Sequence, residues 1–297
     1  LSKVAELLAQ AKTRTGGGRV RPKAQSLADD QSSPPKIFLY GHSGSGKTFF
    51  IVWLLLAGEK VFVVSSDFGS NGLATVRNEL IRQGRTDLLK NVRFIDLSTY
   101  QDIEEFFTNP LDFVADLDDW GPTVEVWEGF ASFNIDILDE YILSHAPGAE
   151  NSGELRHAGF THTKQDWQGM KRGTVRCLRK FLSHTYPSGR NVARILTCLE
   201  AGSADSFDLT GKAAKGPLVH GTGKQLMGPA FDVIMESYKE TKDGEVKYYY
   251  RCNGDSEKYL LKSRGYDLKP VEPADGPRVW NVIKSTGGQT TTKEIKE

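Results

Sequence analysis

Apolar residues follow two rhythms along this chain. Short, nearly unbroken runs (KIFLY from Lys36, KVFVVS from Lys60, VRFIDL from Val92, TVEVWE from Thr123 and ARILTCLE from Ala193) have the length of strands buried on both faces. Between them the spacing predicts helices: one from Gly46, one near residues 71 to 84, one at DIEEFFTN, one at IDILDEYILSH, and the longest over residues 164 to 183. Such alternation builds βαβ units, hence a largely parallel sheet with right-handed crossovers. Three later runs, FDVIMESYKE, VKYYYRCN and KYLLKSR, read as strands in antiparallel hairpins, with an Asp-Gly turn in TKDGEVK. The fold class predicted is therefore α/β, a mostly parallel central sheet flanked by helices, with C-terminal antiparallel strands.

The ends differ in character. Residues 1–33 hold a short amphipathic stretch, KVAELLAQAK, with Val4, Leu7, Leu8 and Ala11 on one face, and then a Gly-rich basic linker. A helix that short is marginal in water, so it is either a frayed end or an arm that docks on a neighbouring copy. A core spans 34–284, and the polar tail 285–297 is too poor in apolar residues to pack.

Charge and cysteine content narrow the class. Lys plus Arg equals Asp plus Glu at 38 each, so attraction to nucleic acid must come from local patches. Cys177, Cys198 and Cys252 are scattered without CxxC spacing, which suits reduced thiols better than a disulfide framework or a zinc site. His145, His157, His162 and His184 lack metal-site spacing and are assigned no catalysis. The apolar run FFIVWLLLAG is too short to span a bilayer, and the expectation is a soluble, cytoplasmic protein with no membrane association.

The chemistry concentrates in GHSGSGKT, residues 41 to 48, which follows an apolar strand and precedes an apolar helix. This is the phosphate-loop pattern GxxxxGK[ST] in its required context. Gly41, Gly44 and Gly46 allow backbone N–H groups to turn inward, and His42, Ser43 and Ser45 complete the loop around an anion. Lys47 is placed to reach the β and γ phosphates of ATP, and Thr48 to offer its hydroxyl to Mg²⁺. Hydrolysis also needs a magnesium-side carboxylate and a group to orient water, both at C-terminal ends of neighbouring strands. Asp67 is the candidate for the water and Glu128 for the metal, with Glu125, Asp136, Asp139 and Glu140 as rivals. Thr197 ends another apolar run and is read either as a γ-phosphate sensor or as a capping hydroxyl.

The order GHSGSGKT, VVSSDFG, TVEVWEGF, ARILTCLE, FDVIMESY and YLLKSRG resembles the RecA-like P-loop NTPase core, in particular the core-only phage recombination ATPases of the Sak group. The resemblance covers roughly residues 34 to 284. That family commonly ends its second strand in Glu, its fourth in Asp and its fifth in Thr-Ala-His, where this chain has Asp67, Glu128 and Thr197-Cys198-Leu199. The resemblance implies an ATPase acting as a homo-oligomer, ring or filament, with ATP at subunit interfaces. Lys262 and Arg264, two apart, would then complete the neighbour's site as trans fingers; otherwise they are a basic pair guarding a sheet edge.

By the same resemblance, single-stranded DNA binds after the fourth and fifth strands, about residues 145 to 166 and 202 to 228. Arg156 and Lys164 in the first, with His157, Phe160 and His162, mix charge with stacking rings; Lys212, Lys215 and Lys224 in the second, with His220, lie among glycines. On the helix 164 to 183, Trp167, Met170, Thr174, Val175, Leu178, Phe181 and Leu182 share one side, Lys171 intruding. Arg172, Arg176, Arg179 and Lys180 gather on the other, as a solvated face, a channel wall or a subunit contact. The reading is a DNA-dependent ATPase for phage homologous recombination or annealing in the bacterial host cytoplasm, with a single-strand binding or annealing protein as partner. The alternatives are a hexameric helicase or translocase motor, and a non-hydrolysing ATP-binding adaptor or loader.

Overall fold

The computed structural model describes residues 33–67, 71–145, 164–201, 216–219, 223–254, 259–263 and 265–286. Its centre is an eight-stranded sheet. In chain order the strands are β1 (Lys36–Gly41), β2 (Val61–Ser65), β3 (Val92–Asp96), β4 (Val124–Glu128), β5 (Ala193–Leu199), β6 (Val233–Lys242), β7 (Glu245–Arg251) and β8 (Val271–Pro273). They lie in the order β3-β2-β4-β5-β1-β6-β7-β8. The first six pair in parallel, and β7 and β8 extend the sheet antiparallel.

Both faces of the central strands β1, β2, β4 and β5 are covered, which is why their sequences are largely apolar. Alternation along β1 sends Phe38 and Tyr40 to one core, and Ile37 and Leu39 to the other. The first core is closed by α3 (Tyr100–Phe106), the helices α5 (Phe130–Ser132) and α6 (Leu138–Ser144) joined by a π turn at Phe133–Ile137, and α7 (Lys164–Ser183). The second is closed by α1 (Phe49–Leu56), α2 (Asn71–Arg82) and α9 (Arg278–Thr286). Two further helices, α4 (Leu117–Trp120) and α8 (Gly223–Ala230), complete the described set.

The long helix has the bounds its periodicity predicts, but its buried side is rotated. Asp166 is 8% exposed and Trp167 43%, so the inward stripe runs Asp166, Met170, Thr174, Cys177, Leu178 and Phe181. Periodicity gives the width of an apolar stripe, while the packing of α7 on α3 and α6 decides its centre.

The hairpin β6–β7 turns at Asp243 (φ 55°) and Gly244 (φ 79°), the two positive angles of a type I′ turn. The expected strand KYLLKSR forms isolated bridges rather than a ladder among the described residues, Lys262 pairing with Ile234. Its reason is space: from Glu236 onward the same edge of β6 belongs to β7. The third antiparallel strand is β8 instead.

Candidate nucleotide site

The parallel strands share one C-terminal end, and the candidate groups converge there. β1 lies between β5 and β6, with Gly41 opposite Leu199, so the loop 42–48 leaves the middle of the sheet. Gly41 admits no side chain, because a Cβ would overlap Ser237 O of β6. Gly46 has φ 95°, and the ring of Tyr248 closes over it. The loop is tied down beneath by Ser237 Oγ, which donates to Ser45 O at 2.7 Å.

Lys47 Nζ donates to Gly41 O and His42 O, each at 2.8 Å, and so folds back across the loop's own carbonyls. Burial lowers its pKa, opposed by the nearby Glu128, Asp67 and Glu200 carboxylates among others. Thr48 Oγ1 donates to Glu128 Oε1 at 2.7 Å. Glu128 is 7% exposed, and Gly72, in the first turn of α2, lies against its carboxylate. Burial pushes the Glu128 carboxyl above its ordinary range, with the Asp67 charge adding and Thr48 and Lys47 opposing. A buried, hydroxyl-linked carboxylate beside a lysine is an environment that a cation would relieve.

Asp67 follows β2. Its Oδ1 accepts from Ser132 Oγ at 2.8 Å, so the end of α5 orients it. The ends of β2 and β4 are laced together: Ser66 N–H donates to Glu128 O at 2.9 Å, Ser66 Oγ to Gly129 O at 2.9 Å, and Trp127 Nε1 to Ser66 Oγ at 3.1 Å. This lacing sets the separation of Asp67 from Glu128. The rival Glu125 sits elsewhere, fully buried three residues earlier, in a cluster with Arg194, His184 and Tyr186. Asp136, Asp139 and Glu140 lie on the π turn and α6, away from the strand ends.

Thr197 is 3% exposed. The register pairs Trp127 with Leu196, one residue before Glu128 and Thr197, so these two side chains leave the same face of the sheet. The next acidic residue, Glu200, escaped the sequence reading. It is 7% exposed, its N–H donates to Gly41 O at 3.0 Å, and its Oε2 lies 3.5 Å from His42 Nε2. Ser132 and Ser237 were equally unforeseen, since each meets its partner only through strand pairing.

The outlying candidates separate from this group. Lys262 Nζ donates to Gly228 O at 3.0 Å and to Phe231 O, carbonyls of its own chain. Arg264, Arg156, Lys212 and Lys215 lie outside the described residues, as do His157, Phe160, His162 and His220. Lys164 and Lys224 stand in the first turns of α7 and α8. On α7, Arg176 and Lys180 both pair with Glu104 of α3, Lys180 at 2.7 Å. Lys171, Arg172 and Arg179 line a groove of about 610 Å³ together with Gln168 and Val175.

The donor set fits a magnesium-bound triphosphate. The glycine cradle is closed to side chains at Gly41, Ser45 Oγ is buried without a partner among the described residues, and a hydroxyl and a carboxylate already meet at 2.7 Å. No helix among the described residues is long and apolar enough to cross a membrane.

No family model and no curated protein matches the chain. Among solved structures, it is similar to a KaiC-like protein from the hyperthermophilic archaeon Pyrococcus horikoshii, at 12% identity and a TM-score of 0.37, over 81% of this chain and 89% of that one. With six parallel strands, helices on both faces, an antiparallel C-terminal extension and a phosphate loop leaving β1, the chain has the fold of a RecA-like P-loop core.

Proposed function

We propose that this chain binds MgATP at Gly41–Thr48 and hydrolyses it as an oligomer that grips single-stranded DNA, in phage homologous recombination or annealing. The observation that carries the reading is the Thr48–Glu128 hydrogen bond, which joins the loop hydroxyl to the carboxylate of a neighbouring strand at 2.7 Å. Thr48 and Glu128 would hold a magnesium ion, which would supply positive charge beside the phosphates. Lys47 would exchange its two carbonyl contacts for phosphate oxygens, Asp67, held by Ser132, would orient the water, and Thr197 would monitor the terminal phosphate.

With Lys262 engaged on its own chain, the trans-finger role falls chiefly to Arg264. Arg156, Lys164, Lys212, Lys215 and Lys224 are proposed to carry the DNA contacts. Residues 1–33 link copies, so deletion of residues 1 to 18 lowers the sedimentation coefficient of the assembly; an unchanged value removes that role.

The deciding experiment is steady-state ATP hydrolysis without DNA, with single strands and with duplex at matched salt. Stimulation by single strands supports the reading. Tight nucleotide binding with no turnover under any condition supports an adaptor or loader instead.

A further inference from the structure

The hairpin β6–β7 outruns the strand it flanks. β1 ends at Gly41, beside Ser237, whereas β6 continues to Lys242 and carries its next residues past the phosphate loop. Side-chain alternation puts Met235, Ser237 and Lys239 on the face of α1 and the loop, and Glu236 and Tyr238 on the other. Ser237 holds Ser45 from this face. Lys239, one step further, is exposed, and its Nζ lies 3.9 Å from the point where a Gly44 side chain would begin. Among the described residues it has no hydrogen-bond or ion-pair partner.

The hairpin is also clamped in place. Lys239 is opposite Tyr248 in the β6–β7 register. Tyr248 covers Gly46, and its ring stacks on Phe49 at 5.9 Å, while Tyr250 meets Phe50 edge-on at 5.5 Å. Two aromatic contacts to the first turn of α1 thus hold the strand that presents the lysine. Lys47 sits on one side of the loop, and Lys239 approaches it from the β6 side.

We infer that Lys239 is a second phosphate-binding cation of the nucleotide site, supplied in cis by β6 and positioned by Tyr248. The inference rests on the reading of Gly41–Thr48 as a nucleotide site and adds a residue that the phosphate-loop motif does not contain. The competing role is that of a solvated lysine guarding the free edge of β6 beyond Gly41, as edge lysines do.

The test is equilibrium binding of ATP, ADP, AMP and adenosine to the full chain and to Lys47→Ala, Lys239→Ala, Lys239→Arg and Tyr248→Ala, with thermal unfolding of each nucleotide-free protein. Lys239→Ala is expected to weaken ATP binding about tenfold, the size of one charge-assisted hydrogen bond, and to leave the unfolding midpoint unchanged. Lys239→Arg restores most of the affinity, and the loss shrinks at high salt. In the Lys239/Tyr248 double variant the two losses are less than additive, because one positions the other. Wild-type affinity in Lys239→Ala, with Lys47→Ala unable to bind, overturns this inference and leaves the nucleotide reading standing. An equal loss for adenosine, which has no phosphate, also overturns it. A wild-type chain that binds none of the phosphorylated ligands removes both.

Discussion

Thr48 Oγ1 and Glu128 Oε1 meet at 2.7 Å across 80 positions of sequence, joining the end of the phosphate loop to the end of β4. The contact gives the loop a carboxylate partner before any ligand enters. Its metal role can be tested without reference to turnover.

Glu128→Gln keeps the shape and an acceptor for Thr48 but removes the charge. Titration of ATP in the presence and absence of Mg²⁺ is expected to show that the variant loses the magnesium-dependent part of its affinity and keeps the rest. A variant that retains the full magnesium dependence assigns the metal to another carboxylate.

Lys47→Ala removes the only lysine of the loop, and nucleotide binding is expected to fall below detection. The same change frees Gly41 O and His42 O of their shared donor, so unfolding is followed in parallel. A loss of binding with an unchanged unfolding midpoint assigns the lysine to the ligand.

Lys262 offers a sharper contrast. Its ammonium group is partly buried on Gly228 O and Phe231 O, and charge-assisted hydrogen bonds of this kind are worth about 1.5–3 kcal/mol each. Lys262→Ala is therefore expected to lower the unfolding midpoint of the isolated chain. Arg264→Ala is expected to leave stability alone and suppress turnover only in the assembled state. Turnover per assembled oligomer that is unchanged in the Lys262/Arg264 double variant removes the trans finger.

The cluster around Glu59 gives a pH dependence. Burial would raise this carboxyl, but donation from Lys284 Nζ at 2.6 Å, Thr123 Oγ1 at 2.6 Å and Trp280 Nε1 at 3.0 Å outweighs it and holds the pKa below the ordinary value of 4.5. A carboxyl depressed in the folded state adds stability above the unfolded pKa and loses it as pH falls through the folded one. Glu59→Gln is thus expected to destabilise at neutral pH by about 1–3 kcal/mol, the cost of a broken buried charged network. The difference from wild type vanishes at acid pH below the folded pKa. A gap that stays constant with pH assigns the loss to packing.

Glu125, buried at the core of the sheet, depends on Arg194. Arg194→Ala leaves that carboxylate with His184 and Tyr186 alone, and an uncompensated buried charge costs about 3–5 kcal/mol. Arg194→Ala with Glu125→Leu is expected to recover much of the loss in chemical denaturation. No recovery assigns it to the packing of Arg194 over the ring of Phe181.

Local patterns carried the architecture further than the site. KIFLY, the glycine-rich loop after it and α1 were legible because strand run, glycine spacing and apolar helix are neighbours in sequence, and the Asp-Gly turn of β6–β7 announces itself in two residues. What pairing decides was not legible. Glu200 joins the loop only because β5 lies beside β1. Lys239 faces the loop only because Ser237 falls opposite Gly41, a parity that a half-polar strand does not reveal. Trp167 and Asp166 exchanged places because α7 is centred by its contacts, not by its own periodicity.

The strand order has a consequence for biosynthesis. β1 is made before both of its neighbours, β5 and β6, which end at Leu199 and Lys242. A ribosome must therefore release the chain through Lys242 before β1 can be paired on both edges. Until then the emerging GHSGSGKT loop hangs from a lone strand with both edges open, a state exposed to aggregation. Ribosome-bound intermediates arrested before residue 193 should be digested by protease at this loop whether or not ATP is present, and those arrested well beyond residue 251 should be protected by it.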